Sequence, residues 1–226
     1  PAPYRKTSLE GYAWLIADLL GELDIRPAFI VGHSAGCAIA VRMSLDDRAA
    51  PRRIIGLNPA LLPFSGIARH TFPLIAKLLF VNPFAPRLLS WQARDGARVR
   101  RLIASTGSDI GRHGLEFYQR LFESPRHVDA ALSMMANWDL ERLHRDLVRL
   151  NCPLSMLVAS RDRMVSPDAA RTVQRVVPNA CVIPLPGLGH LAHEEDAACV
   201  ARHIAQEAAR PHAATAAHAP HASPPS

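Results

Sequence analysis

The stretch VGHSAGCAIAVRMSL, residues 31–45, decides how this chain is read. Phe29, Ile30 and Val31 lead into it as a short apolar run, and a helix-like run follows Ser34, so it reads as strand, sharp turn and helix. Within it, Gly32-His33-Ser34-Ala35-Gly36 fits G-x-S-x-G, the pattern that lifts a serine onto a tight strand-to-helix turn with its hydroxyl exposed. A serine serving only as a small turn residue would satisfy the same pattern, so the rest of the chain must supply its partners.

A serine hydroxyl is a weak nucleophile. It needs a base within hydrogen-bond reach and a third group that fixes the base's tautomer. Behind a G-x-S-x-G turn the partners follow in the order Ser, acid, His. LSMLVAS, residues 154–160, reads as a strand, and Asp162 lies at its C-terminal end, where parallel sheets place their chemistry. Asp168 competes, but it follows Ser166-Pro167, where a first-turn acid stabilises a helix N-terminus. CVIPLPGLGHLAHEED, residues 181–196, puts His190 in a Gly/Pro-rich loop after a weak strand. Gly187 and Gly189 are expected to supply the unusual backbone angles that aim this loop back at the sheet. His193 and His33 compete with His190. His193 falls on a helix expected to begin near Leu191, facing away from the loop tip, and His33 is expected to pack beside the turn.

The candidate catalytic trio is therefore Ser34, Asp162 and His190. The backbone N–H of Ala35 is the candidate oxyanion donor. A second donor would come from a loop after an earlier strand. No such loop precedes residue 8: either the hole is incomplete or, the favoured reading, the segment carrying it is cut away from a chain that starts at Pro1. His33, Asn58 and Trp138 complete the candidate substrate pocket.

The chain as a whole narrows the function classes. Its 226 residues suffice for one large domain or a domain with an insertion, and 49% of them are apolar, enough for a sizeable core. The net charge of +6 is compatible with an acidic partner or an anionic membrane surface. No zinc-finger spacing and no arginine-rich arm is present, so nucleic acid is not an expected partner. Cys37, Cys152, Cys181 and Cys199 follow no framework spacing and read as thiols of a reducing compartment, which implies a cytoplasmic protein with peripheral membrane contact as an alternative. No uninterrupted 18-residue apolar run exists. There is no dinucleotide loop, no P-loop lysine and no clustered set of metal ligands, so no cofactor is expected.

Thr7-Ser8-Leu9-Glu10 matches a T-x-x-E capping box and opens a helix over 8–23. Further helices are expected over 35–45, 168–177 and 191–208, and strands over 28–31, 53–57, 154–159 and 181–184. That alternation predicts an α/β fold, a parallel sheet with helices on both faces. Residues 60–150 differ, being mostly helical, rich in aromatic residues and broken by Pro73, Pro83, Pro86, Gly107, Gly111 and Pro125. The expected organisation is a first core segment 1–59, a helical cap 60–150, a second core segment 151–208 and a disordered Ala/Pro/His-rich tail 209–226. The tail histidines His212, His218 and His221 lack a metal-site spacing.

With the elbow, the acid and the histidine in this order, the chain resembles the α/β-hydrolases, starting just before the helix that precedes the elbow strand. The resemblance implies that the first strands of that fold are absent and that the elbow strand presents an open edge. GHSAGCAIA, GLNPALLPFSG, LLFVNPFAP, MMANWDL and PLPGLGHLAHEED together resemble the α/β-hydrolase-type magnesium-chelatase accessory family of bacteriochlorophyll biosynthesis, over residues 8–206. That resemblance implies a role near magnesium insertion into protoporphyrin IX, with chelatase subunits or a porphyrin as partners. Residues 72–101 supply apolar side chains such as Phe72, Phe80 and Trp91 beside Arg87, Arg94, Arg98, Arg100 and Arg101. They fit a porphyrin with its propionates, a lid's own core with a solvated face, or a lid resting on a membrane. Three functions stay open at this point: an accessory protein with a working Ser34-His190-Asp162 triad, a general ester or C–C bond hydrolase acting on an apolar substrate, and a non-catalytic binder.

Overall fold

In the computed structural model, which describes residues 7–63, 82 and 84–211, four parallel strands form one sheet in the order β1-β2-β3-β4. They are β1 Phe29–His33, β2 Arg53–Leu57, β3 Leu154–Ala159 and β4 Ala180–Leu185. Gly32 pairs with Gly56, Leu57 with Leu157 and Ala159 with Leu185, so all four C-terminal ends open at the same edge.

Side chains alternate across a strand, and the sheet divides the core accordingly. Ile54, Leu154, Met156 and Val158 face one side, where they meet Cys37, Val41, Leu143 and Val173. Ile55, Leu57, Leu157 and Ala159 face the other, against Ala192 and Val200. Helices α1 Leu9–Glu22, α2 Ala35–Leu45 and α8 Pro167–Val176 cover the first face, and α9 Ala192–Glu195 and α10 Ala197–Ala209 cover the second. This is the expected doubly covered parallel sheet. β1 lies at the sheet edge with Val31 45% exposed, and α1, packed on α2, leaves Trp14, Leu19 and Leu23 exposed.

Two local expectations are corrected. Ser8, not Thr7, caps α1: Gly11 N donates to Ser8 Oγ at 3.0 Å. The Thr7 hydroxyl instead accepts from Ser133 Oγ at 2.9 Å and tethers α1 to the cap. The helix expected over 191–208 is two helices, because Asp196 leaves helical geometry (φ −142°, ψ 77°) and its side chain accepts from Cys199 N to start α10 afresh.

Between β2 and β3 the described residues form a helical cap: α3 Ala85–Gln92, α4 Gly96–Ser105, α5 Arg112–Phe122, α6 Pro125–Asn137 and α7 Leu140–Asp146, closed by a 3₁₀ turn Leu147–Arg149. Ala93, Val99, Ile103 and Ile110 make a core of its own there, joined by Leu191. Phe72, Phe80 and their neighbours lie outside the described residues, as do the tail histidines.

Charged groups are buried at two places away from the strands' C-terminal ends. Arg42 on α2, 2% exposed, donates to Asp146 of α7 and to Asp46. At the N-terminal ends of the strands, Arg53 donates to Ser155, Ser155 donates to Glu207 of α10, and Arg210 pairs with Glu207 at 3.1 Å.

Candidate active site

Ser34 sits between β1 and α2 at φ 50°, ψ −114°, a strained conformation for a residue with a Cβ. The surrounding backbone holds it there. Ser34 N donates to Leu57 O at 2.8 Å, and Ser34 O accepts from Ala60 N and Cys37 N, each at 3.2 Å. The turn can be this tight because α2 crosses directly over Gly32: a Cβ on Gly32 would stand 2.5 Å from Cys37 N. Ala35 is the first residue of α2, so its N–H belongs to the donors a helix start leaves without an intrahelical partner.

Asp162 and His190 meet. His190 Nδ1 lies 2.8 Å from Asp162 Oδ2, with both residues buried. Asp162 Oδ1 accepts from Met164 N at 2.7 Å and Val165 N at 2.9 Å, which fixes the carboxylate. A carboxylate on Nδ1 holds the proton there and leaves Nε2 as the basic nitrogen. Ser34 and His190 line one cavity of about 350 Å³ with Leu62, Pro63, Leu140, Met164 and Val165, and are not hydrogen-bonded to one another. Asp168 stands on the wall of the same cavity, paired with Arg171 at 3.1 Å and out of contact with His190.

The loop bearing His190 is pinned from several directions. Asn58, buried and at φ 45°, donates from Nδ2 to the carbonyls of His190 (2.8 Å) and Gly189 (3.1 Å), while its Oδ1 accepts from Ala159 N. His33 Nε2 lies 2.9 Å from the His190 carbonyl oxygen, which fixes Nε2 as the protonated nitrogen. Its ring packs between those of His190 and His193, with centroids at 4.8 and 4.5 Å. His193 thus turns toward His33 and not away from the site. Burial, then the nearby His190 and His193, lowers the His33 pKa to about 4. Of the two loop glycines, only Gly187 adopts a positive φ, 75°. Gly189 is required for space: a Cβ there would run into the backbone of Gly107.

The other sequence candidates, His33, Asn58 and Trp138, are not among the residues that line the Ser34 cavity. Trp138 packs against the core on the α2 face, its Nε1 buried without a partner. Asn58 and His33 hold the base loop from behind. Among the described cap cations, Arg98 borders a separate cavity of about 270 Å³ lined by Val99, Leu102, Phe122, Leu132 and Met135, and it pairs with Asp95 at 3.3 Å. Trp91 is 62% exposed. Among the described residues no three His, Cys, Asp or Glu side chains converge as metal ligands, and no helix is long and apolar enough to cross a membrane.

The fold and the elbow geometry define a class, and the sequence comparison agrees: the chain belongs to the alpha/beta hydrolase family, whose model matches residues 2–202. It is 36% identical over 176 residues to the magnesium-chelatase 30 kDa subunit of Rhodobacter capsulatus, covering 78% of this chain and 61% of that protein. It thus spans about three fifths of that relative's length. It is 23% identical over 197 residues to the uncharacterized hydrolase YugF of Bacillus subtilis (strain 168), covering 87% of this chain and 70% of that one. Among solved structures, an α/β hydrolase fold protein from Burkholderia ambifaria superposes with a TM-score of 0.69 at 19% identity, covering 88% of this chain and 73% of that one. That last likeness is one of fold.

Proposed function

We propose that this chain carries a serine-hydrolase site acting on an apolar acyl substrate, in a protein accessory to magnesium chelatase. The reading is carried by the Asp162–His190 pair at 2.8 Å, whose histidine lines the cavity that also holds Ser34. In the reaction, His190 Nε2 takes the Ser34 proton as Oγ attacks the carbonyl carbon. Asp162 stabilises the imidazolium that results, and Ala35 N–H donates to the oxyanion. His190 then gives the proton to the leaving group, and water releases the acyl chain from Ser34 by the same steps in reverse. Leu62, Pro63, Leu140, Met164 and Val165 on the cavity wall support an apolar acyl or aryl moiety.

The test is labelling of the full-length protein with a serine-directed fluorophosphonate, read by intact mass. Labelling at Ser34 that disappears in Ser34→Ala and His190→Ala is expected. A folded protein that takes up no reagent would overturn the hydrolase reading.

The accessory role rests on the 36% identity to the magnesium-chelatase 30 kDa subunit. It predicts that cells lacking the gene accumulate protoporphyrin IX at the expense of its magnesium complex, with chelatase subunits or the porphyrin itself as partners. Unchanged pigment in the deletion strain would sink it. Complementation by Ser34→Ala separates the two halves: a strain rescued by the inert variant needs the protein as a binder, and one left unrescued needs its chemistry.

A further inference from the structure

The helical segment between β2 and β3 supplies part of the frame that holds the base. The turn after α4, Thr106-Gly107-Ser108, is wedged between the loop carrying Asp162 and the loop carrying His190. On the acid side, Arg163 N donates to Thr106 O at 3.1 Å. On the base side, Leu191 N donates to Ser108 Oγ at 2.8 Å, with Ser108 only 5% exposed. Between them, Gly107 (φ 86°) and Gly189 touch backbone to backbone, and a Cβ on either would collide with the loop it faces. The Thr106 hydroxyl, 3.0 Å from Ser108 Oγ, also donates to Ile103 O at 2.6 Å, which ties the turn to α4.

The contact extends past the hydrogen bonds. Leu191, next to His190, is buried in the cap's own core with Val99, Ile103 and Ile110. One turn later, Tyr118 of α5 donates its hydroxyl to Glu194 Oε1 at 2.6 Å. Leu191 and Glu194 thus face the cap, while Ala192 between them packs against the sheet. A buried N–H that loses its acceptor costs more than the bond itself contributed, so the Ser108 hydroxyl constrains the Leu191 backbone strongly.

We infer that Ser108 is a positioning residue for the general base: through Leu191 N it sets where His190 stands relative to Ser34 and Asp162, and it makes that placement depend on the cap. This rests on the hydrolase reading above. Displacing a catalytic group by an ångström lowers rates about a hundredfold.

The experiment compares Ser108→Ala with Ser108→Thr in the full-length protein, using two readouts. The first is the rate of fluorophosphonate labelling at Ser34 against pH, resolved into reagent affinity and the bonding step. Ser108→Ala is expected to slow the bonding step about tenfold or more with affinity unchanged, and Ser108→Thr, which keeps the hydroxyl, to recover most of it. The second is the exchange with water of the downfield His190 Nδ1 proton bonded to Asp162, followed by NMR. It is expected to quicken in Ser108→Ala. Parental labelling and parental exchange in Ser108→Ala would overturn the inference. If the parent protein does not label at all, the hydrolase reading fails, and the imidazole proton still decides whether Ser108 positions His190. Should Ser108→Ala fail to fold, Ser108→Cys, which replaces the hydroxyl acceptor with a much weaker one, is expected to quicken the same exchange, and no change there would equally overturn it.

Discussion

Arg42 and Asp146 join two elements that lie far apart in the chain: Nη1 of the buried arginine on α2 is 2.6 Å from Oδ2 of the carboxylate that ends α7. The helix that follows Ser34 is thereby tied to the far end of the cap. With its second carboxylate, Asp46, the guanidinium has a partner on each side.

Removing one member strands the others. Arg42→Met leaves Asp46 without its guanidinium and Asp146 with only the exposed Arg149 at 3.8 Å, and is expected to lower stability by about 2–3 kcal/mol, the partial exposure of both carboxylates tempering the cost. Arg42's hydrogen bonds, first, hold Asp146 below its ordinary pKa. A carboxylate whose folded pKa is depressed stabilises the fold above its unfolded pKa, about 4, and loses that contribution as pH falls through the folded value. Urea titrations from pH 5 to pH 2 should show this acid loss in the parent protein and a flatter profile in Arg42→Met. Equal slopes would dismiss the pair as a stabilising contact.

His33 gives a pH term of the same sign in a higher window. Its folded pKa, about 4, lies below the ordinary 6.5, so between those values the unfolded chain binds a proton that the folded chain does not. Its contribution is complete above pH 6.5 and falls away as pH drops toward 4, by about 2–3 kcal/mol at full depth. His33→Gln, which keeps a donor for the His190 carbonyl without a titrating ring, should flatten the stability profile in that window. A profile as steep as the parent's would assign the titration to another group.

Asp162→Asn keeps an acceptor for Met164 N and Val165 N while removing the charge that fixes the His190 tautomer. Stability should move by less than about 1 kcal/mol, while Ser34 labelling falls about a hundred- to ten-thousandfold. Labelling at the parental rate would remove Asp162 from the reaction.

Gly32→Ala should be among the costliest single-methyl changes in the chain. The added Cβ meets the backbone at Gly36 and Cys37 rather than a mobile side chain end, so β1 and α2 must separate. A loss of about 3 kcal/mol or more is expected, measurable as a drop in the thermal midpoint. A parental midpoint would mean that the elbow is looser than its geometry indicates.

Burial pushes the Cys37 thiol up to about 12, whereas Cys181 and Cys199 are partly exposed. Iodoacetamide at pH 8 should leave Cys37 unmodified in the native protein and alkylate it after unfolding. Modification of Cys37 under native conditions would indicate that α2 opens.

The parts of this architecture that were legible in the sequence are those set by local rules. The elbow could be read because Gly32 meets a steric demand of neighbouring backbone and Ser34 holds a positive φ beside it, and β2 and β3 because apolar runs ended by Asn58-Pro59 and Ser160-Arg161 leave few alternatives. The Asp162–His190 meeting followed from the ends of adjacent parallel strands. The break at Asp196 was hidden because AHEEDAACV continues a helical pattern, and only the cap made by the aspartate side chain ends it. The tethers by Asn58, Ser108 and Arg42 were hidden for another reason: each acts across a separation that no periodicity encodes. Asn58 had one signal, a polar side chain set inside the otherwise apolar run IIGLNPALL.

The polar cluster of Arg53, Ser155, Glu207 and Arg210 lies at the end of the sheet opposite the Ser34 cavity, a strand's length away. Rigid strands separate the two, and packed neighbours rather than long-range forces carry most couplings in a core. The two ends are thus free to diverge separately: substitutions that re-tune the lower cluster should be selected for solubility and fold, and those around the cavity for chemistry, with little epistasis between them.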